Sequence, residues 1–183
     1  MLAEASASSD GAGSPVISVR VIVAGKVHDV STNAGTTGAL LSAMGIEKIF
    51  ASPGSEWAPV WEHLAKTYPP GTIPQYISTR HEEVALGMAS GYYKTTGKLP
   101  AVMIHTTVGS LHGAMALRGA LHENVPMVVF TGESVGFGHE AAPDPGPQWQ
   151  GSLADVGGPA RLLAPCVKWS FGLNAISALG GTV

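Results

Sequence analysis

Glutamate and histidine stand together in Thr79-Arg80-His81-Glu82-Glu83, and a second histidine lies in His105-Thr106-Thr107-Val108-Gly109. Two further segments, Ser52-Pro53-Gly54-Ser55 and Gly132-Glu133-Ser134, combine small residues with hydroxyl or carboxylate groups. Carboxylate and imidazole are the usual proton carriers near neutral pH, and glycine lets a ligand approach backbone closely. Other chemistries find no support. Ser52 to Trp57 holds one glycine and a bulky tryptophan, where a dinucleotide fingerprint needs G-x-G-x-x-G. No glycine-rich segment ends in Gly-Lys-Ser/Thr, so a P-loop is excluded. His105 and His112 are seven apart with no Cys/His cluster around them, so no metal-ligand set is expected. No serine sits in a G-x-S-x-G elbow of the hydrolase kind.

Alternating helices and strands must position these segments. Apolar periodicity predicts helices over 36–44, 58–66, 82–95 and 110–122. Gly45 is placed as the stop of the first, and Ala85, Met88, Ala89 and Tyr92 form the apolar stripe of the third. Strands are predicted over 46–51, 74–78, 99–106 and 126–131. Their centres, near Ile49, Tyr76, Met103 and Val129, recur about every 27 residues, one βαβ unit each. Continuous apolar strands such as Met127-Val128-Val129-Phe130 suit burial on both faces of a parallel sheet. The expected fold is therefore α/β, an open doubly wound parallel sheet with helices on both faces. In such sheets ligands bind outside the carboxyl ends of the strands, where all four segments fall.

The flanks read differently. Val16–Val23 and Val27–Val30 are β-branched apolar runs separated by Ala24-Gly25-Lys26, as in a hairpin or an edge extension. Residues 1–33 are expected to form a flexible N-terminal extension with short strands, and 34–183 the main domain. Gly136–Gly158, dense in glycine, proline, aspartate and glutamine, reads as a long surface excursion. Residues 164–171 return to a strand. No closing helix and strand follow over 174–183, so the domain is expected to be C-terminally incomplete, lacking its last helix and strand.

Composition narrows the classes. A length of 183 residues fits one domain. Hydrophobic residues at 45% against charged residues at 13% favour a folded core over disorder. Ten basic against thirteen acidic residues give a net charge of −3, which argues against a nucleic-acid partner. No apolar run nears the ~20 residues of a membrane span. Met1–Pro15 lacks the charged and apolar regions of a secretory signal. The single cysteine, Cys166, cannot form an internal disulfide, and a reducing, cytoplasmic setting is expected.

Taken singly, the candidate residues have modest readings. Glu82 at a helix start stabilises the helix dipole without further role. His105 is readable as a satisfied histidine at a strand end, and Ser55 as a turn serine. Taken in order, however, four motifs form a known pattern. They are Phe50-Ala51-Ser52-Pro53-Gly54-Ser55, Thr79–Glu83, Gly91-Tyr92-Tyr93-Lys94-Thr95-Thr96-Gly97-Lys98, and Asn124-Val125-Pro126 through Thr131-Gly132-Glu133. Over roughly residues 36–171 the chain resembles the pyrimidine-binding (PYR) domain of thiamine-diphosphate enzymes, which include acetohydroxyacid synthases and 2-oxo acid decarboxylases.

That resemblance implies a cofactor, thiamine diphosphate, and a role for Glu82. In the family a glutamate hydrogen-bonds N1′ of the aminopyrimidine and promotes the imino tautomer that takes the C2 proton. A carboxylate shielded from water shares a proton more readily. Ile104–Gly109 resembles the histidine loop of benzoylformate decarboxylase, and Ser55 that enzyme's active-site serine. The resemblance implies a proton relay at His105 and a substrate-carboxylate contact at Ser55. It also implies cofactor contacts at Pro53, Gly54, Thr106, Gly109 and His112. The chain departs from the pattern in two places: His112 replaces the usual asparagine, and Ala51-Ser52 stands where glycine is frequent.

The Gly-Asp-Gly and downstream Asn that hold Mg²⁺ have no counterpart, Asp155 being the nearest imitation. Mg²⁺ is therefore expected only with a diphosphate-binding domain, either further along a longer chain or on a second subunit. The implied assembly is a homo- or hetero-oligomer acting on a 2-oxo acid, as decarboxylase or acetolactate synthase-like carboligase. The isolated chain is expected to be inactive. The rival reading is a non-catalytic interaction or regulatory module that keeps the PYR fold.

Overall fold

The computed structural model describes residues 19–24, 37–38, 40–67, 74–132 and 157–173. The apolar runs form six strands: β1 (Val19–Ala24), β2 (Lys48–Ser52), β3 (Gln75–Ser78), β4 (Ala101–Ile104), β5 (Met127–Gly132) and β6 (Trp169–Leu173). Between them lie a helical stretch at residues 40–43 (α1), then α2 (Ala58–Thr67), α3 (Glu82–Thr96), α4 (Thr107–His122) and the short α5 (Gly158–Leu163). The strands form one sheet in the order β3-β2-β4-β5-β1-β6, every pairing parallel.

Strand periodicity divides the core into two layers. Phe50, Val102, Ile104, Met127 and Val129 face α3, α4 and α5, where they meet Ala85, Leu86, Ala89, Leu117, Ala120 and Leu163. Their sequence neighbours Ile49, Ala51, Ala101, Met103, Val128 and Phe130 face the other way, against Leu41, Trp57 and Leu64. Because successive strand side chains point to opposite faces, a continuous apolar strand fills both layers. Full burial of each large side chain contributes about 1.5–3 kcal/mol relative to exposure. Both faces are thus covered by helices, as the apolar strands require.

The order also fixes where a ligand belongs. From β2 the chain crosses through α2 to β3 on one side, then returns through α3 to β4 on the other side of β2. The helices α2 and α3 pack on opposite faces, so the chain diverges at the carboxyl ends of β2 and β4. A crevice opens at such a switch point.

Two elements differ from expectation. The described part of the Val16–Val23 run is neither hairpin arm nor edge, Val27–Val30 lying outside the described residues: β1 pairs in parallel on both sides, with β5 through Val19↔Met127 and with β6 through Arg20↔Trp169. A local pattern cannot reveal such a remote partner. Second, α4 begins at Thr107, not Ser110, so Gly109 lies in its first turn. Glycine is a poor helix former, and its presence delayed the predicted start. The described residues 157–173 contain α5 and then β6, which overlaps the strand predicted over 164–171. Residues 133–156, including Glu133, Ser134 and Asp155, lie outside the described residues, as do 174–183.

Candidate active site

The first wall of the crevice is the start of α3. After β3, Thr79 binds back to the end of β2: its N–H and its hydroxyl donate to the Ala51 carbonyl at 2.7 and 3.0 Å. This ties the helix start to the switch point. His81 caps α3, its Nδ1 accepting the Glu83 N–H at 3.3 Å. Glu82 follows as the first helical residue and is only 7% exposed, an uncommon position for a carboxylate. The helix ends at Gly97 with φ 69°, a left-handed cap that glycine adopts freely.

The second wall is the turn from β4 into α4. Gly109 lets the two walls touch. A Cβ there would lie 2.8 Å from Glu82 Oε1 and 3.0 Å from the Cβ of His105. Glycine is therefore demanded by close approach, and the Glu82 carboxylate and His105 flank one point. One turn further, His112 Nδ1 donates to Glu82 Oε2 at 3.3 Å, and its ring stacks on His81 with centroids 4.9 Å apart.

Buried hydroxyls hold this turn. Ser110 donates to the Thr106 carbonyl at 2.9 Å and meets the Thr131 hydroxyl at 3.1 Å, and Thr131 donates to the His105 carbonyl at 3.1 Å. The Thr106 hydroxyl is buried and has no hydrogen-bond partner among the described residues. A buried polar group without a partner is costly, so a ligand group at this point would be favoured.

The third wall is the loop after β2. Trp57 anchors it, its indole N–H donating to the Ile104 carbonyl at 3.0 Å. Glu56 reaches across to His105, whose Nδ1 lies 2.9 and 3.0 Å from its two oxygens. A carboxylate accepts only, so Nδ1 carries the proton and Nε2 is left for other partners. The hydrogen bond to Glu56 raises the His105 pKa above its ordinary value, burial opposes this, and the charges of Glu56 and Glu82 add to the rise. Gly54 and Gly132 make room: a Cβ on Gly54 would collide with His105 and Glu56, and one on Gly132 with Glu56.

The structure thus brings together Glu82, His105, Thr106, Gly109, His112 and Gly54. Pro53 stands at the mouth of the loop, partly exposed. Ser55 is exposed, and the carboxylate contact into the site comes from its neighbour Glu56. Sequence reading passed over Glu56. A carboxylate beside a turn looks like a solvated charge, and only the glycine at 132 hinted at the space it fills.

A profile described as thiamine pyrophosphate enzyme, N-terminal TPP binding domain, matches residues 36–136. The chain belongs to this family. Its PYR-type domain is 29% identical over 142 residues to the mitochondrial acetolactate synthase catalytic subunit of Aspergillus candidus, covering 76% of this chain and 18% of that protein. It is 29% identical over 133 residues to benzoylformate decarboxylase of Pseudomonas aeruginosa, covering 72% of this chain and 22% of that one. Among solved structures, the thiamine diphosphate-dependent 4-hydroxybenzoylformate decarboxylase of Rhodococcus jostii RHA1 superposes with a TM-score of 0.62 at 26% identity. The match covers 82% of this chain and 26% of that one. The chain spans about a fifth of the length of these curated relatives.

The residues present fit the pyrimidine end of thiamine diphosphate. A ring nitrogen can share a proton with a carboxyl group such as that of Glu82, and an exocyclic polar group can pair with the Thr106 hydroxyl, which has no partner among the described residues. Among the described residues no helix is long and apolar enough to cross a membrane.

Proposed function

We propose that this chain supplies the aminopyrimidine-activating half of a non-oxidative thiamine-diphosphate enzyme acting on a 2-oxo acid, as decarboxylase or acetolactate synthase-like carboligase. The observation that carries the reading is the buried Glu82 carboxylate at the switch point, packed against Gly109. Bound thiamine diphosphate supplies the carbon nucleophile and the electron sink. Glu82 holds and exchanges a proton at the pyrimidine N1′. His105, with Nδ1 fixed by Glu56, presents Nε2 as the group that gives or takes a proton at the substrate. Thr106 and Gly54 shape the pocket, Pro53 borders it, and His112 orients the Glu82 carboxylate. Ser55, at the exposed side of the loop, contacts the substrate carboxylate once the site is closed by its partner.

That partner is a diphosphate-binding domain, on a longer chain or a second subunit, which brings the Mg²⁺ ligands. The helices holding Glu82 and His112 offer it a surface. Val84 and Met88 on α3, and Leu111 and Met115 on α4, are large apolar side chains at i, i+4 spacing that stand exposed. Without the partner the chain is inactive.

The test is Glu82→Gln in the assembled enzyme, read by deuterium exchange at C2 of bound thiamine diphosphate. Gln keeps the shape and cannot cycle a proton. Exchange is expected to slow by about 10²–10⁴-fold, the range of general acid–base contributions. Exchange at the wild-type rate would refute the role of Glu82.

A further inference from the structure

The side of Glu82 that faces α4 carries two imidazoles, of which the proton chemistry above uses only His112. One ring nitrogen of His81, one of His112 and a Glu82 carboxylate oxygen all lie within 4.8 Å of one another. Two nitrogens and a carboxylate oxygen are ligands that zinc-class divalent ions accept, and three protein ligands leave a fourth position open. The spacing supports this. Zinc bonds of roughly 2.0–2.1 Å at a tetrahedral angle set neighbouring ligand atoms about 3.3 Å apart. His112 Nδ1 and Glu82 Oε2 are 3.3 Å apart.

The remaining adjustment falls on groups free to make it. The His112 side chain is 52% exposed, so its ring can turn out of the stack with His81. His81 holds only the long 3.3 Å bond from the Glu83 N–H. Glu82 is the fixed member, being buried and packed against the Gly109 turn. No sequence motif announces the set, because His81 and His112 come from different helices and meet only through the α3–α4 packing.

We propose that His81, Glu82 and His112 form a binding site for one zinc-class divalent cation. The site rests on the placement of the three side chains and does not depend on the cofactor reading, although Glu82 and His112 serve in both. If both hold, they exclude each other, since a carboxylate oxygen on the ion is withdrawn from the pyrimidine nitrogen. Zinc would then act as an inhibitor competing with thiamine diphosphate.

The experiment is calorimetric titration of the full chain with zinc sulfate at pH 7.5, comparing wild type with His112→Asn and His81→Asn. Asparagine keeps the helix cap at position 81 and a polar group at 112, and circular dichroism checks that both variants fold. His63→Gln, a partly exposed histidine on α2, controls for scattered surface binding. One equivalent of zinc is expected in the wild type and in His63→Gln, with affinity at least tenfold weaker in each of the other variants. Unchanged stoichiometry and affinity in folded His112→Asn and His81→Asn would overturn the site. The Glu82→Gln exchange assay reports on the cofactor reading separately, so either conclusion can fall alone.

Discussion

Replacing Gly109 by alanine sets two known effects against each other. In a helix interior the change from glycine to alanine favours folding by about 0.5–1 kcal/mol, because the unfolded chain loses freedom. At position 109 the new methyl would lie 2.8 Å from Glu82 Oε1 and 3.0 Å from the His105 Cβ. Neither neighbour retreats easily. Glu82 is buried at the helix start, and His105 is clamped through its ring by Glu56 and through its carbonyl by Thr131. Forcing one methyl into such a place costs about 1–3 kcal/mol. Gly91, within α3, has nothing within 4 Å of its Cβ position and gives the helix effect alone. Gly91→Ala should therefore be more stable than wild type by about 0.5–1 kcal/mol. Gly109→Ala should fall below Gly91→Ala by the collision alone, about 1–3 kcal/mol. At about 2–4 °C per kcal/mol for a chain of this size, the two variants should melt about 2–12 °C apart. Urea denaturation followed by tryptophan fluorescence, with thermal melts alongside, measures both. If Gly109→Ala gained as much stability as Gly91→Ala, the contact between α4 and Glu82 would be wrong, and with it the geometry of the site.

Two further outcomes follow from the same walls. Because Glu56 raises the His105 pKa, the pair stabilises the fold fully below the unfolded value of about 6.5 and loses this as pH rises through the raised folded value. Urea stability measured at pH 6 and pH 9 should therefore fall more in wild type than in Glu56→Gln, and equal slopes would remove the pair. Met115→Lys, on the exposed face of α4, should change the stability of the chain by no more than about 0.5 kcal/mol. It should also weaken assembly with the diphosphate-binding partner, as read by sedimentation; full assembly would place the partner elsewhere.

Much of this molecule was legible without coordinates because its signals are local. Met127-Val128-Val129-Phe130 announces a strand buried on both faces, and of the stripe Ala85, Met88, Ala89 and Tyr92 all but the exposed Met88 lie on the inner face of α3. Four such units fix a parallel α/β sheet, and the carboxyl ends of its strands mark Glu82 and His105 as candidates. What was not legible depends on distant partners. The run at 19–24 reads as a strand, but nothing in Val-Arg-Val-Ile-Val-Ala names β5 and β6 as its neighbours. The start of α4 was misplaced because Gly109 obeys a steric demand from Glu82 and not its own propensity. Glu56 reveals itself only when β4 brings His105 to it, and the imidazoles of His81 and His112 meet only once α3 and α4 pack.

The place of β1 bears on how the chain is made. A ribosome delivers β1 well before its partners, so Val19 waits for Met127 and Arg20 for Trp169. At about 5–20 residues per second, roughly 5–20 s pass before β5 has been synthesised. Throughout that interval a β-branched segment carries unpaired N–H and C=O groups along both edges, open to pairing with another nascent chain. When β5 arrives, β1 must close a loop spanning most of the molecule, and β6 can join the sheet only after it, since β1 is its neighbour. The earliest of the described strands is thus the one whose placement depends on nearly everything after it, and yield in a cell should respond to chaperone supply more than to core stability.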